Sequence, residues 1–312
     1  MSEEPMVRTP FEPPTISVII PIHNMETTIV RAIASVYGQS MAVSQIIVVD
    51  DGSTDQSAKA VLDYGSQIVL LTQPPLGVSA ARNAGISQAT GDYVAFLDAD
   101  DEWHTDFIAT ICDLIRQDPD ASIFATNYQY IEPDGSARDA SVETALASGD
   151  IPTGVAYLRC LVEGIYPFYT SSICVRRSAF ASVGLFDTKL TFCEDIDIWV
   201  RLAQRGRLLY SPLVRAVCHR DARDRSNDQR ARQVQSIHYL EKMAHIESSW
   251  VGDPRSRAYL NSLVSRGVYA HYADMYRHYG YSGPVSDYLI SYLSLWKRIK
   301  LVIKKLLAQT HP

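Results

Sequence analysis

Four short apolar runs, rich in β-branched and aromatic residues, punctuate the first third of the chain: Ile16–Ile20, Ile46–Val49, Ile68–Leu71 and Tyr93–Leu97. Between them apolar residues return at helical spacing, as in Ile29, Ile33 and Val36, or Ala58, Val61 and Leu62. Strand-length runs alternating with helix-length ones build βαβ units and a parallel sheet. Right-handed crossovers then place the strand C-termini on one edge. Two of the runs end in acids, Asp50-Asp51 and Asp98-Ala99-Asp100-Asp101, so both clusters are expected on that edge, where open α/β sheets bind ligands. Carboxylates packed this closely repel one another and need a cation, a basic partner or full solvation.

The remaining elements follow from the same periodicities. Asn24 is read as the cap of the first helix and Thr54 as the cap of the second. Gly77–Ala89 is a small-residue helix, and Phe107, Ile108, Ile111, Leu114 and Ile115 mark an amphipathic one. Asp101 is expected to cap a helix at Glu102-Trp103. Ser122–Thr126 reads as a strand, with a hairpin-like turn at Asp134-Gly135. The small, polar and acidic stretch Asp139–Thr153 is expected to be a loop near the site. A helix over Val155–Val162 precedes the aromatic stretch Tyr166-Pro167-Phe168-Tyr169. Ser172–Val175 reads as a strand and Arg176–Val183 as a short helix ending at Gly184. Glu194-Asp195 opens a helix whose buried face is Ile198, Trp199, Leu202 and Ala203. Leu208–Tyr210 and Val214–His219 are expected to be two closing strands.

At 312 residues the chain can bury a sizeable core, and 46% hydrophobic with 21% charged residues is the balance of a soluble globular protein. A net charge of −6 and a pI near 5.7 argue against a general nucleic-acid binder. The five cysteines are widely spaced without a Cys-x-x-Cys pair, which points to reduced thiols and a cytoplasmic setting. Met1–Pro14 lacks an apolar leader core, and no uninterrupted apolar stretch would span a bilayer. The chain therefore divides into an N-terminal segment (1–14), an α/β domain with a mostly parallel central sheet flanked by helices (15–220), a polar connector (221–233) and a tyrosine-rich helical appendage (234–312), itself broken into a hairpin at Gly280–Pro284. Within the appendage, Leu293–Leu307 sets Trp296, Ile299, Leu301, Val302, Ile303, Leu306 and Leu307 among five basic residues. Such a segment suits an anionic membrane surface, here the inner leaflet; packing against the α/β domain or a second protomer is an equal alternative.

Five motifs, in order, carry a resemblance: Ser17-Val18-Ile19-Ile20-Pro21-Ile22-His23-Asn24, Val49-Asp50-Asp51-Gly52-Ser53-Thr54-Asp55, Gly77-Val78-Ser79-Ala80-Ala81-Arg82-Asn83, Leu97-Asp98-Ala99-Asp100-Asp101 and Glu194-Asp195-Ile196-Asp197-Ile198-Trp199. Together they resemble the family 2 inverting glycosyltransferases over roughly residues 15–220. The resemblance implies a GT-A (Rossmann-like) fold, a nucleotide-sugar donor, with a UDP-sugar first, and Mn²⁺ or Mg²⁺. It assigns Asp100 to the metal as the last acid of an Asp-x-Asp motif, with His219 as a late histidine reaching the metal or diphosphate. Pro21, His23, Asn24, Asp51, Arg82, Asp98 and Ala99 fall to the nucleotide. For Arg82 a salt bridge to a neighbouring acid is the alternative, and Asn83 reads as structural. Asp195 matches the base that takes the acceptor proton, with Glu194 as runner-up. Asp197 is a helix-start acid or an acceptor contact. Trp103 and Trp199 read as packing residues, and Gly184–Asp187 resembles a loop on the acceptor side. The implied reaction moves a hexosyl or N-acetylhexosaminyl group to a glycan or lipid-linked acceptor, in surface polysaccharide or lipopolysaccharide assembly. A non-catalytic nucleotide- or carbohydrate-binding module is the alternative. A dinucleotide oxidoreductase would need Gly-x-Gly-x-x-Gly after the first strand, where this chain has Pro21-Ile22-His23-Asn24.

Overall fold

A computed structural model describes residues 13–140, 154–220, 229–249 and 254–278, together with 291 and 293. The expected helix break at Gly280–Pro284, nearly all of the basic segment Leu293–Leu307, and most of the Asp139–Thr153 loop and of the connector lie outside those residues.

The β-branched runs form β1 (Ile16–Ile22), β2 (Gln45–Asp51), β3 (Val69–Gln73) and β4 (Tyr93–Phe96). They pair in parallel in the order β3-β2-β1-β4. Helices α1 (Ile29–Tyr37), α2 (Ser57–Leu62) and α3 (Val78–Gln88) make the crossovers. Beyond β4 the sheet is mixed. β8 (Ile173–Arg176) runs antiparallel between β4 and β6 (Ile123–Ile131), and β9 (Leu208–His219) lies parallel to β6. β5 (Glu102–Trp103) closes the order against β9, and β7 (Ala137–Asp139) hairpins onto β6 through the expected turn at Gly135. The sheet is thus mixed, parallel only over β3-β2-β1-β4 and β6-β9, and not every strand C-terminus shares one edge: β5, β7 and β8 run the other way.

Three local expectations are corrected. Asn24 does not cap α1, which begins five residues later; it sits in the left-handed region (φ 55) and its Oδ1 accepts from Thr54 N at 2.8 Å. Asparagine tolerates that conformation better than most residues. Thr54 does not cap α2 either. Asp55 does that work, its Oδ1 accepting from Ser57 N at 2.9 Å, because a carboxylate two residues ahead of the helix reaches its first free N–H. The two closing strands are one. Pro212, which has no N–H to give the ladder, is accommodated by a bulge: Thr126 pairs Ser211 and Asn127 pairs Val214, so Pro212 and Leu213 stand out of register.

The remaining helices are α4 (Phe107–Gln117), α5 (Gly154–Glu163), α6 (Phe180–Val183), α7 (Glu194–Arg205), α8 (Gln229–Ser248) and α9 (Pro254–His278). The predicted face of α7 is buried, and Trp199 meets Phe96 of β4 (5.8 Å between centroids) and Phe186 (5.7 Å). This aromatic contact ties α7, far along the chain, to the strand that delivers Asp98. Of the C-terminal helices, α8 packs on α7, and α9 on α5 and α8. Lys242 of α8 bonds both Asp187 (2.8 Å) and the fully buried Asp197 of α7 (3.0 Å). Among the described residues no helix is long and apolar enough to cross a membrane.

Candidate active site

The parallel half of the sheet sends β1, β2 and β4 to a common edge, and the loops there are laced together. After β1, Asn24 N donates to Ser53 Oγ (3.0 Å) and Met25 N to Ser57 Oγ (2.7 Å), so the loops following β1 and β2 form one surface. His23 stands exposed on it, its Nδ1 2.8 Å from the Asp51 carbonyl, while Pro21 is buried inside the sheet. Asp51 is buried, and its carboxylate accepts from Gln73 Nε2 (2.7 Å), Leu76 N (2.8 Å) and Gly77 N (2.8 Å). Those three bonds hold the β3–α3 loop against β2, and they explain Gly52. At its φ of 76° a side chain would also bring Cβ within 2.7 Å of Pro75 Cδ. A carboxylate has about four acceptor positions, so at most one remains for a base.

Arg82 is the centre of the site. It is 3% exposed, and one guanidinium nitrogen bonds Asp98 Oδ1 (2.8 Å) while the other bonds Glu194 Oε1 (2.9 Å). Burial lowers its pKa, but the charges of Asp98 and Glu194 outweigh that and raise it, so the guanidinium stays charged. The salt bridge expected as its alternative is therefore present, and is double. The planar fork joins β4 to α7, elements almost a hundred residues apart in sequence.

Within the Asp-x-Asp turn the acids have separate environments. Asp98 and Asp100 are partly exposed, and Ala99 and Asp101 are buried. Asp101 is not a helix cap, because Glu102-Trp103 is strand β5. Its carboxylate instead accepts from Ser171 Oγ (2.6 Å) and from His219 N (3.3 Å), pinning the end of β9. Burial, then the charges of Asp100 and Asp98, push its pKa up. The His219 ring lies beside this corner with Nε2 3.0 Å from Glu102 Oε1. Trp103 stacks on Phe107 (4.1 Å) and donates to the Ser171 carbonyl, a packing role as expected. Among the described residues no three His, Cys, Asp or Glu side chains converge as a ready-made metal cage. Asp100 offers hard oxygen, which fits Mg²⁺ or Mn²⁺ of the kind that takes one or two carboxylates and completes its shell from phosphates and water.

Asp195 lies at the start of α7, half-buried, with Oδ1 accepting from Ile196 N (2.7 Å) and Oδ2 3.4 Å from Thr170 Oγ1. Desolvation and the neighbouring Glu194 charge, partly offset by Arg82, push its pKa up to about 6. A carboxyl so tuned can accept a proton near neutral pH. Glu194 is spoken for by Arg82, which separates the two candidates. Asp197 is no acceptor contact: it is fully buried and bonded by Arg201 (2.6 Å) and Lys242. Asn83 is structural, trading two hydrogen bonds with Phe186 (2.8 and 2.9 Å) and fixing the Gly184–Asp187 loop.

Sequence reasoning missed Ser171. It is fully buried; its Oγ accepts from Asp98 N (3.0 Å) and donates to Asp101, so one hydroxyl sets the whole acidic turn. The polar run Thr170-Ser171-Ser172 ahead of an apolar strand was the available signal.

The profile of the family described as Glycosyl transferase family 2 matches residues 17–184. Among named relatives, the amylovoran biosynthesis glycosyltransferase AmsB of Erwinia amylovora is 32% identical over 200 residues, 61% of this chain and 64% of that protein. The uncharacterized glycosyltransferase YibD of Escherichia coli is 34% identical over 148 residues, 46% of this chain and 43% of that protein. The matches thus span less than two thirds of those relatives. In three dimensions the chain superposes on S. aureus TarS (residues 1–349) with a TM-score of 0.66 at 15% identity, covering 95% of this chain and 90% of that one. TarS has been solved with UDP-GlcNAc. The mannosyltransferase PcManGT of Pyrobaculum calidifontis, solved with GDP-Man and Mn²⁺, superposes with a TM-score of 0.57 at 19% identity over 96% of this chain and 86% of that one. The fold is the GT-A fold of these neighbours.

Proposed function

The chain belongs to glycosyl transferase family 2, and on that premise we propose that it moves a sugar, with inversion, from a nucleotide-sugar donor to a glycan or lipid-linked acceptor. The observation that carries the reading is the Arg82 fork, which brings the Asp98–Asp100 turn and the Glu194-Asp195 pair to one edge of the sheet. The first group suits a donor diphosphate; the second suits a base.

In this reading Asp100 and His219 would hold Mn²⁺ or Mg²⁺, which would supply positive charge against that of the departing nucleoside diphosphate. His23, Asn24 and the Asp51 corner receive the base, with Pro21 shaping the strand end beneath. Asp98 and Ala99 line the nucleotide side, and Arg82 orients Asp98 toward it. Asp195, deprotonated above about pH 6, takes the proton of the attacking acceptor hydroxyl. Glu194 holds Arg82 and stands by as the second carboxylate.

A UDP-sugar is the first donor to test, supported by the complexes of TarS with UDP and UDP-GlcNAc; the GDP-Man complex of PcManGT makes a GDP-sugar the second. Polysaccharide assembly is the setting the AmsB likeness favours. We place the catalytic unit in residues 15–220 and read residues 234–312 as a helical appendage, of which α8 packs on α7 and α9 on α5. A cytoplasmic face, with the basic C-terminal segment on the inner leaflet, would suit a lipid-linked acceptor. The test is nucleotide release from UDP-GlcNAc, UDP-glucose, UDP-galactose and GDP-mannose with Mn²⁺, with and without crude bacterial glycolipid. Release from at least one donor is expected; release from none in either condition defeats the reading.

A further inference from the structure

Two arginines of the surface, Arg116 and Arg207, each close tightly on an acid: Arg116 on Asp113 (2.5 Å), and Arg207 on Asp118 (2.5 Å) with Asp120 nearby (3.8 Å). The arginines of β7 and of the end of β9 are held differently. Arg220 and Arg138 both lie over the ring of Tyr130, 4.1 and 4.9 Å from its centroid. They share a single carboxylate, Glu132, at 3.3 and 3.7 Å. Charge-assisted bonds close to about 2.7–2.9 Å where the partner is well placed, so one acid is stretched between two cations. The cluster stays net positive in a chain whose net charge is −6. Arg220 Nε is buried and, among the described residues, has no acceptor.

The backbone fixes this arrangement. Arg138 is the register partner of Tyr130 across the β6–β7 hairpin, and Arg220 N donates to the Ile131 carbonyl (2.8 Å). Side chains alternate along a strand, and Tyr130 is level with Cys218 of β9. Tyr130, Arg138 and Arg220 therefore share one face of the sheet. His219, level with Ile131, turns its ring to the other face, toward Glu102. The face with the arginines runs on to the Asp195 side of the site through direct contacts. Tyr128 Oη is 3.0 Å from Tyr130 Oη, and the Tyr128 ring packs on Tyr169 (4.5 Å). Thr170, next in sequence, has its hydroxyl 3.4 Å from Asp195.

We propose that Arg138 and Arg220 form a binding site for a phosphoryl group carried by the acceptor. Guanidinium forks match phosphate oxygens in pairs, and a phosphate monoester brings more charge and more acceptor positions than Glu132 alone can give two cations. Stacking on Tyr130 holds both guanidinium groups in place beforehand, so less side-chain freedom is lost when the anion arrives. The face also separates this anion from the donor diphosphate, which belongs to the corner of Asp100 and the His219 ring. The proposal rests on the glycosyltransferase reading and adds the acceptor's charge to it: a phosphate-bearing molecule, either a prenyl phosphate lipid or a phosphorylated sugar.

The test uses the full chain with UDP and Mg²⁺ present, so that the donor corner is filled. Farnesyl phosphate and glucosyl phosphate are titrated calorimetrically, with farnesol and methyl glucoside as uncharged counterparts. At least one phosphate is expected to bind, roughly tenfold or more above its counterpart, and which one binds identifies the source. Arg138→Gln and, independently, Arg220→Gln each weaken that binding about tenfold, the loss of one charged fork, and Arg220→Lys recovers only part of it. Arg116→Gln, on the surface of α4, leaves it unchanged. Binding of neither phosphate, equal binding of phosphate and counterpart, or binding indifferent to both glutamine changes overturns the site. UDP-GlcNAc and GDP-mannose titrated into the same variants report on the donor separately. Unchanged donor affinity is expected, whereas a loss in Arg220→Gln gives that arginine to the donor diphosphate and overturns the assignment to the acceptor. Donor binding without phosphate binding removes this site and leaves the glycosyltransferase reading standing; phosphate binding without donor binding keeps the anion site and removes that reading.

Discussion

Two adjacent carboxyls, Glu194 and Asp195, differ in what touches them, and on that difference rests the proposal that Asp195 is the base. Glu194 is paired with Arg82, whereas Asp195 accepts from the Ile196 backbone and lies 3.4 Å from the Thr170 hydroxyl, and its pKa is raised to about 6 by desolvation and the Glu194 charge. The base works as a carboxylate, so kcat/KM should fall about tenfold per pH unit below pH 6 and level off above it. Asp195→Asn should cut turnover by about 10²–10⁴-fold while donor affinity holds, measured by single-turnover transfer and by calorimetry. Undiminished transfer would move the base elsewhere. The linkage has a sign as well. A carboxyl whose folded pKa exceeds its unfolded value of 3.8 lowers stability as pH rises from about 4 to 6. Asp195→Asn should therefore unfold in urea at pH 7.5 no earlier than the parent, an inactive variant without a folding defect. Arg82→Met should behave oppositely. It strands Glu194 and Asp98, and a loss of about 3 kcal/mol is expected, at the low end for buried pairs because Asp98 reaches solvent.

At the scale of elements, the parallel half of the fold was legible because each strand is a short apolar run, α1 and α2 each have one apolar face, and α3 is a run of small residues. The pattern failed where a tertiary partner decides. Asn24 and Thr54 are good caps by residue type, yet they bond each other across two loops, a contact that no local window contains. Pro212 looks like a strand end, and only the neighbouring β6 shows that the strand resumes past it. The site was half legible for the same reason. The five motifs named the acids in order, but Ser171, which bonds two of them, belongs to no periodic pattern. Small residues of α3 show what such contacts require: a Cβ on Gly85 would come within 2.5 Å of Ile19 Cγ2 on β1. Gly85→Ala should cost about 1–3 kcal/mol by overpacking, read as a lower urea midpoint with an unchanged m-value.

Across the whole molecule, the C-terminal helix α8 reaches the helix that carries Asp195, although the family profile ends at residue 184. Lys242 of α8 closes a pair of acids, Asp187 from the loop after α6 and Asp197 from the helix that carries Asp195. Lys242→Met should lower stability by about 2 kcal/mol, checked by urea unfolding, since charged hydrogen bonds to a fully buried carboxylate are lost. The larger claim is that the acidic edge of the sheet binds a nucleotide sugar through a divalent ion. Calorimetric titration of UDP-GlcNAc and GDP-mannose, with and without Mn²⁺, into the full chain and into Asp100→Asn tests it most directly. The account predicts that one donor binds the parent chain, that Mn²⁺ strengthens the binding, and that Asp100→Asn removes the gain from Mn²⁺. Binding of neither donor, or binding with the same Mn²⁺ response in Asp100→Asn, would contradict it.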